Sequence, residues 1–440
     1  MTTPDRIETA SGDRDRLVGR MVLASVIPIV TVAPALGALG TVARVLVAAL
    51  AAVIVLRAPV RLPPTLTVLL VGLIMLLGAA AVGAPSLGYG AARLFNWTMF
   101  IPLAYVGAAH SRIRILAGSL IAACWLQVLG VGMQMTGRRG GEWGGLVMPG
   151  TEVSVDGGRI LVRYTGFIGN PNDLGLLLGL GVLLCLVVAV LPGERRRRGL
   201  AVLCAAAFSA CLVSTGSRGA IIATGLGLVI TAAVLRGRPA GLLLGLAAVS
   251  AVLLVTRGGG TAVIVRSLTS IFSGTDISAM SRGTLWSEYV HSNTAWLLGN
   301  GFGGYLPSGP QGVAFGGERG ETGTVDNGWL KLVLENGLLG ALLLALLFIV
   351  AALPVVRTAA AVPTLRPQVA VCIGYAVAIA SRAASADLFD INPWNAILWL
   401  LLGVLTAMGN RDTGPEDAVS QPVARVVASR ERTVTWSAQR

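Results

Sequence analysis

Apolar residues run in near-continuous stretches of roughly 18 to 22 positions from Met21 to Met408, each long enough to cross a bilayer core of about 30 Å as a helix. The pattern predicts an all-α fold, a polytopic integral membrane bundle of about twelve helices. They fall at roughly 21 to 39, 41 to 56, 65 to 83, 94 to 109, 115 to 135, 167 to 190, 199 to 215, 218 to 235, 239 to 255, 328 to 352, 368 to 386 and 393 to 409. Pro28 and Pro34 interrupt the first, and the turn into the second is tight. Composition agrees: 54% of the residues are hydrophobic and 12% charged, whereas a soluble domain carries about 25% charge. A soluble enzyme, a fibrous protein and a disordered chain are excluded.

Charge sets an expected orientation. Counting alternate inter-helix segments from the N-terminus, 21 of the 34 basic residues and 9 of the 21 acidic ones fall on one side, which leaves the other side near neutrality. Short loops rich in Arg stay in the cytoplasm, so both termini are expected there, with an even number of spans in the cytoplasmic membrane. The formal charge of +13 thus reports topology and asks for no nucleic acid. The first twenty residues read as an uncleaved signal anchor. Cys124, Cys185, Cys204, Cys211 and Cys372 all lie in apolar spans, so neither a disulfide nor a metal cluster is expected.

Two outward segments exceed the ordinary loop length of about 4 to 6 residues. One, about 136 to 166, is Gly-rich and predicts a hairpin around Asp156, Gly157 and Gly158. The other, between the ninth and tenth helices, is the extramembrane part long enough for structure of its own. Within it, residues 282 to 298 predict an amphipathic helix carrying Leu285, Trp286, Tyr289 and Trp296 on one face.

Candidate chemistry collects at the outward ends of the helices. Arg93 is expected in the loop before the fourth span, Arg163 just before the sixth, Arg218 in the turn between the seventh and eighth, and Arg382 in the outer half of the eleventh. An Arg at bilayer depth costs about 2.5 to 3.5 kcal/mol on insertion scales, so it normally faces a cavity or a partner. Guanidinium groups bind phosphate through paired hydrogen bonds, and several together suit a pyrophosphate on a lipid. Snorkelling to headgroups is the plain alternative for each one.

In the turn Ser214 to Ala220, Gly216 and Gly219 let the backbones approach and Ser217 is placed to cap the eighth helix. In the run Arg163 to Asp173, Asn172 or Asp173 is the expected cap of the sixth helix, and the Asn170 and Asn172 amides suit a sugar hydroxyl or an anion. Asp326 and Asn327 open the tenth helix, either as a cap or as a carboxylate placed to take a proton from an acceptor hydroxyl. Lys331 and Glu335, four residues apart, are expected to pair, and Glu335 is read as structural. His110 and His291 are the two histidines, too few and too far apart for a metal site or a nucleophile triad. The Gly-rich stretches lack the lysine and the strand of a phosphate loop.

These motifs, in this order, resemble the O-antigen ligase and polymerase family of membrane glycosyltransferases. The resemblance rests on Arg163 with Gly166 and Asn170-Pro171-Asn172, on Ser217-Arg218-Gly219-Ala220, on Arg282 and Trp286 through Gly299-Asn300-Gly301, and on Asp326-Asn327 followed by Gly337-Leu338-Leu339-Gly340. It implies a glycan donor on undecaprenyl pyrophosphate, transfer to an acceptor hydroxyl on a glycan or other molecule, and neither cofactor nor metal. It also implies a membrane-lipid setting and possible contact with other polysaccharide-assembly proteins. Arg218 and Arg282 match the family's donor-binding arginines, with Arg163 a further candidate. Ligases of the family carry His where this chain has Asp326, a departure that turns the reading toward polymerase-type members. The expected layout is then a cytoplasmic segment 1–20, a transmembrane catalytic domain 21–409 whose outer loop spans 256–327, and a cytoplasmic tail 410–440. A transporter or lipid-oligosaccharide flippase is the rival; it predicts related halves and binding groups at the midplane. A non-catalytic scaffold in envelope assembly predicts that the outer arginines are dispensable.

Overall fold

The computed structural model describes residues 5–57, 62–110, 113–136, 151–155, 159–257, 283, 286–291, 293–305, 326–389 and 391–409. Thirteen helices among these residues are named here: α1 (Asp5–Val32), α2 (Gly37–Arg57), α3 (Pro64–Val82), α4 (Leu87–Thr98), α5 (Ile101–His110), α6 (Ile113–Thr136), α7 (Pro171–Val190), α8 (Arg195–Ser214), α9 (Arg218–Leu235), α10 (Gly237–Arg257), α11 (Gly328–Ala361), α12 (Arg366–Ala383) and α13 (Trp394–Gly409). Eight helical stretches among the described residues have the length and apolarity to cross a bilayer, against about twelve expected; Leu17–Arg57 counts once although it doubles back, and α13 is shorter. The fold is an all-α polytopic bundle.

Burial shows which helices form the centre. Most of α7 and α13 is shielded, while α2, α8 and α9 present Leu46, Leu56, Leu203 and Val229 outward. A helix apolar on all sides belongs inside such a bundle, and the outward side chains find the same solvent in lipid. Small residues bring the central helices together. A Cβ on Gly179 of α7 would lie 2.0 Å from Thr224 Oγ1 of α9, and one on Gly403 of α13 would lie 2.1 Å from the Ala104 carbonyl oxygen of α5.

Several boundaries differ from expectation for local reasons. The first reversal falls at the 3-10 turn Ala33–Leu36, around Pro34, while Pro28 stays inside α1. The expected helix 94–109 is two helices, α4 and α5, because Pro102 has no N–H and its ring crowds the carbonyl four residues back. Since α4 begins at Leu87 behind the Ser86 cap, Arg93 lies within a helix and not in a loop. The hairpin is present, with β1 (Thr151–Val155) antiparallel to β2 (Arg159–Arg163) and Thr151 opposite Arg163. Asp156, Gly157 and Gly158 lie outside the described residues, as do most of the long segment 256–325 and the tail 410–440. Of the amphipathic helix expected over 282–298, residues 286–291 are helical, and a turn follows at 296–298. Asn293 causes the change: its Oδ1 accepts from Ala295 N and from Asn300 Nδ2, which closes the chain into a turn.

The helix expected at 328–352 extends to Ala361 but is broken at Gly337, whose φ of 69° and ψ of 178° belong to a region open essentially to glycine alone. In an unbroken helix the amides of Leu338 and Leu339 would bond the carbonyls of Leu334 and Glu335. Here the segment 293–304 enters the gap and exchanges both bonds. Its Asn300 and Gly301 amides donate to the Leu334 and Glu335 carbonyls (2.8 and 3.1 Å), and its Trp296 and Leu297 carbonyls accept from Leu338 and Leu339 (2.8 and 3.3 Å). The Phe302 amide bonds the Ala80 carbonyl of α3, so the segment is tied on two sides. Backbone groups freed inside a membrane protein must be paired again, and this exchange does so without water.

A Cβ at position 337 would meet the Leu297 carbonyl oxygen at 2.0 Å as well as the disfavoured φ. Gly337→Ala is therefore expected to destabilise the fold by about 3 kcal/mol. Gly78→Ala, where the added carbon meets nothing within 4 Å, is expected to change little. Thermal unfolding of the detergent-solubilised variants measures both.

Candidate functional site

Alternation of the helices brings the end of α8, the starts of α7, α9, α11 and α13, and the end of α12 to one end of the bundle. The turn between α8 and α9 is its centre. Gly216 there has a φ of +62°. The Ser217 amide donates to Thr215 Oγ1, so the backbone is held from within the turn. Ser217 occupies the expected cap position, but its hydroxyl does not cap α9; it donates to Asn172 Oδ1 at 3.0 Å. Arg163 reaches the same acceptor through Nη2 (3.0 Å), and its Nε donates to the Thr215 carbonyl (2.9 Å).

Two arginines pack on the two glycines of this turn. A Cβ on Gly216 would lie 3.4 Å from Arg163 Nε, and one on Gly219 would lie 2.6 Å from Arg382 Nη1. Arg218, half-buried as the first residue of α9, sits between those glycines. The fold thus collects Arg163, Arg218 and Arg382 around four residues of chain. Arg382 is only 3% exposed and donates through Nη1 to the Ser385 carbonyl at 2.8 Å.

The approach to α7 is irregular backbone, and two glutamines of α6 satisfy it. Gln134 Oε1 accepts from the Thr165 and Gly166 amides, and Gln127 Oε1 accepts from those of Phe167 and Ile168. Asn170, not Asn172 or Asp173, caps α7, because Pro171 takes the first helical position and leaves the cap to the residue before it. Asn172 is left to serve Arg163 and Ser217. Asp173, buried, accepts from Trp394 Nε1 at 2.8 Å and lies within electrostatic reach of Arg382.

Asp326 and Asn327 stand at the entry of α11, both half-buried. Asn327 is the cap, accepting from the Leu330 amide at 3.0 Å, which leaves the Asp326 carboxylate outside that role. The helix start is fixed against the end of α12 and the chain that follows it. The Gly328 amide donates to the Ala386 carbonyl, Trp329 Nε1 donates to the Ala380 carbonyl, and the Trp329 ring meets Phe389 edge-on at 4.7 Å. Asp326 and Arg382 are therefore anchored through one short stretch of backbone.

The expected Lys331–Glu335 pair does not form. Lys331 pairs with Asp387, and Glu335 pairs with Arg93 of α4, whose Nη2 lies 3.2 and 3.3 Å from the two carboxylate oxygens. Each charge has a better-placed partner from elsewhere in the chain than the one a turn away. Arg93 also lies over the Phe302 ring, and Glu335 Oε1 accepts from the Gly303 amide. Arg93 thus belongs to the frame around the broken helix, away from the turn that holds the other three arginines. Arg282 lies outside the described residues. Sequence reasoning missed Asp387 and the two α6 glutamines, and gave Asp173 only a capping role. Their partners lie 31 to 221 residues away, and no local spacing announces such pairs. Among the described residues no group of three His, Cys, Asp or Glu is placed to hold a metal.

A scan against protein-family models matches residues 200–345 to the O-antigen ligase family, about a third of the chain. A search of curated proteins returned no match. The matched region contains Arg218, Arg282, Asp326 and Glu335, while Arg93, Arg163, Asn170, Asn172 and Arg382 lie outside it. It supports the family resemblance seen in the sequence and, with the apolar helices, a membrane glycosyltransferase of the ligase or polymerase type.

The Arg93–Glu335 pair is nearly enclosed, with side chains 15% and 2% exposed. Removing either partner strands the other charge, so Arg93→Ala and Glu335→Ala are each expected to cost about 3 to 5 kcal/mol. The double variant is expected to lose less than the sum of the two. A thermal-unfolding cycle on the four proteins measures the coupling.

Proposed function

Proceeding from a chain that carries an O-antigen ligase region, we propose that this protein transfers or polymerises a glycan carried on undecaprenyl pyrophosphate, at the outer side of the cytoplasmic membrane, with both termini in the cytoplasm. The single observation that carries the reading is the gathering of Arg163, Arg218 and Arg382 at one turn, at the same end of the bundle as an uncapping Asp326. Neutral membrane transport asks for no such collection of fixed cations at the bundle's end.

In the proposed reaction, the Asp326 carboxylate takes the proton of an acceptor hydroxyl. The freed oxygen attacks the anomeric carbon at the reducing end of the donor glycan, and the bond from that carbon to the pyrophosphate oxygen breaks. The electron pair leaves on the polyprenyl pyrophosphate. Charge grows on that leaving group, and donors already fixed in place lower the barrier without reorganising. Arg218 and Arg382, with Arg282 from the outer segment, are assigned to that charge. Arg163 is held by Thr215 and Asn172, which orients its guanidinium along the same turn. Asn170, Asn172 and Asn327 are assigned to the polar rim of the substrate site. One displacement inverts the anomeric centre. The guanidinium groups take the part that a metal ion plays in other glycosyl transfers, so no cofactor enters. Membrane lipids surround the bundle, and other polysaccharide-assembly proteins are its proposed neighbours.

Purified protein given a lipid-linked oligosaccharide is expected to release the carrier and lengthen the glycan, or to add one glycan to a foreign acceptor. Lipid moved across a vesicle without covalent change would replace this reading with transport. Arg218→Ala is expected to lower turnover by about a hundredfold to a thousandfold, and Asp326→Asn by about a hundredfold or more. Both are expected to insert in the membrane at wild-type yield, and a chelator of divalent cations is expected to leave turnover unchanged.

A further inference from the structure

Around the first turns of α11 lies a second collection of groups that the proposed reaction does not use. Tyr289 is 4% exposed and packs on Leu334 of α11, with Trp286, Tyr305 and Leu330 against it. The Tyr289 and Tyr305 rings meet edge-on at 5.4 Å, so the buried ring props the half-buried one. Lys331 and Asp387 keep 11% and 18% of their side chains open to solvent. The charges of Lys331, Glu335, Asp387 and Arg93 all act on the Tyr305 phenol, which burial holds well above its ordinary pKa. It remains a hydroxyl that donates.

Trp286 supplies the observation that points outward. Its Nε1 is shut off from solvent and has no hydrogen-bond partner among the described residues. A buried donor left unmade costs about 1 to 3 kcal/mol, and a ligand that supplies the acceptor recovers it. The site therefore offers two partly open aromatic rings, an indole N–H, a phenol O–H, an ammonium and a carboxylate. A lipid chain would leave the Trp286 N–H without an acceptor, and an anion would meet Asp387. A sugar ring matches the set, because it turns C–H groups to an aromatic face and hydroxyls, each both donor and acceptor, to its rim.

We infer that Trp286, Tyr305 and the Lys331–Asp387 pair form a saccharide subsite that holds a sugar unit of the acceptor glycan beside Asp326. The inference rests on the transfer reaction proposed above, since that reaction supplies the acceptor. The two sites share one helical turn: the Lys331 amide donates to the Asn327 carbonyl, next to Asp326. Trp286, Tyr305 and Asp387 come from three separate stretches, so the subsite is complete only when the 293–304 segment is seated in the broken helix.

Lys331 is the sole lysine of the chain, so growth on 15N-lysine gives one backbone amide signal. The purified full chain is titrated in detergent with oligosaccharides released by mild acid from the host's surface polysaccharide. The Lys331 signal is expected to shift saturably. Trp286→Phe, which keeps a ring and loses the N–H, and Tyr305→Ala are each expected to weaken the affinity about tenfold. An unmoved signal, or equal affinity in both variants, overturns the subsite. If transfer is also lost in Arg218→Ala, that result leaves the proposed function standing. Saturable binding that needs Trp286 and Tyr305, in a protein that transfers nothing to any acceptor, supports the subsite and overturns the transfer reaction.

Discussion

The exchange of hydrogen bonds at Gly337 is the constraint from which much of the rest follows. A helix cannot be opened inside a bilayer unless its freed carbonyls and amides are paired again. The segment 293–304 performs that pairing with two amides and two carbonyls in register. Opening α11 there fixes a short N-terminal half, Gly328 to Asn336, whose direction is set by the chain after α12 and not by the long apolar remainder. The half-helix carries Asp326 at its entry and Lys331 and Glu335 on its flanks. A continuous helix would have no place for the loop that brings Tyr305 and Phe302 beside them.

Electrostatics then works within that frame. Glu335, whose own carbonyl is one of the two freed, accepts through its side chain from the Gly303 amide and from Arg93, so one carboxylate joins α4, α11 and the inserted segment. Lys331 and Asp387 join α11 to the stretch after α12. These pairs account for the charges nearest the break. Arg163 and Arg382 at the α8–α9 turn are organised differently, by backbone carbonyls and by Asn172, with glycines making room for them. Donors fixed in place by surrounding backbone need little reorganisation as charge develops beside them.

Polar satisfaction of irregular backbone recurs at the other entrance to the site. The run Thr165 to Ile168 gives four amides to the side-chain oxygens of Gln127 and Gln134. With that support the chain can place Asn170, Pro171 and Asn172 at the start of α7 without regular structure leading in. The buried Asp173 and Trp394 close the arrangement against α13.

By itself, the sequence determined that the chain is a membrane bundle, where most helices run, that a hairpin precedes α7, and that arginines and Asp326 gather at helix ends. Those conclusions need only apolar length, turn chemistry and the cost of charge in lipid, all of which act locally along the chain. Tertiary structure decided the partners. Glu335 lay four residues from Lys331 yet bonds Arg93, 242 residues away, because the broken helix turns it toward α4. Ser217 held a cap position yet serves Asn172, because α7 arrives beside it. The single helix expected over 94–109 is broken before Pro102, and Arg93 lies within α4 because that helix begins at Leu87. A side chain in a nearly dry interior bonds whichever group packing brings to it, and spacing along one helix carries no record of what another helix presents.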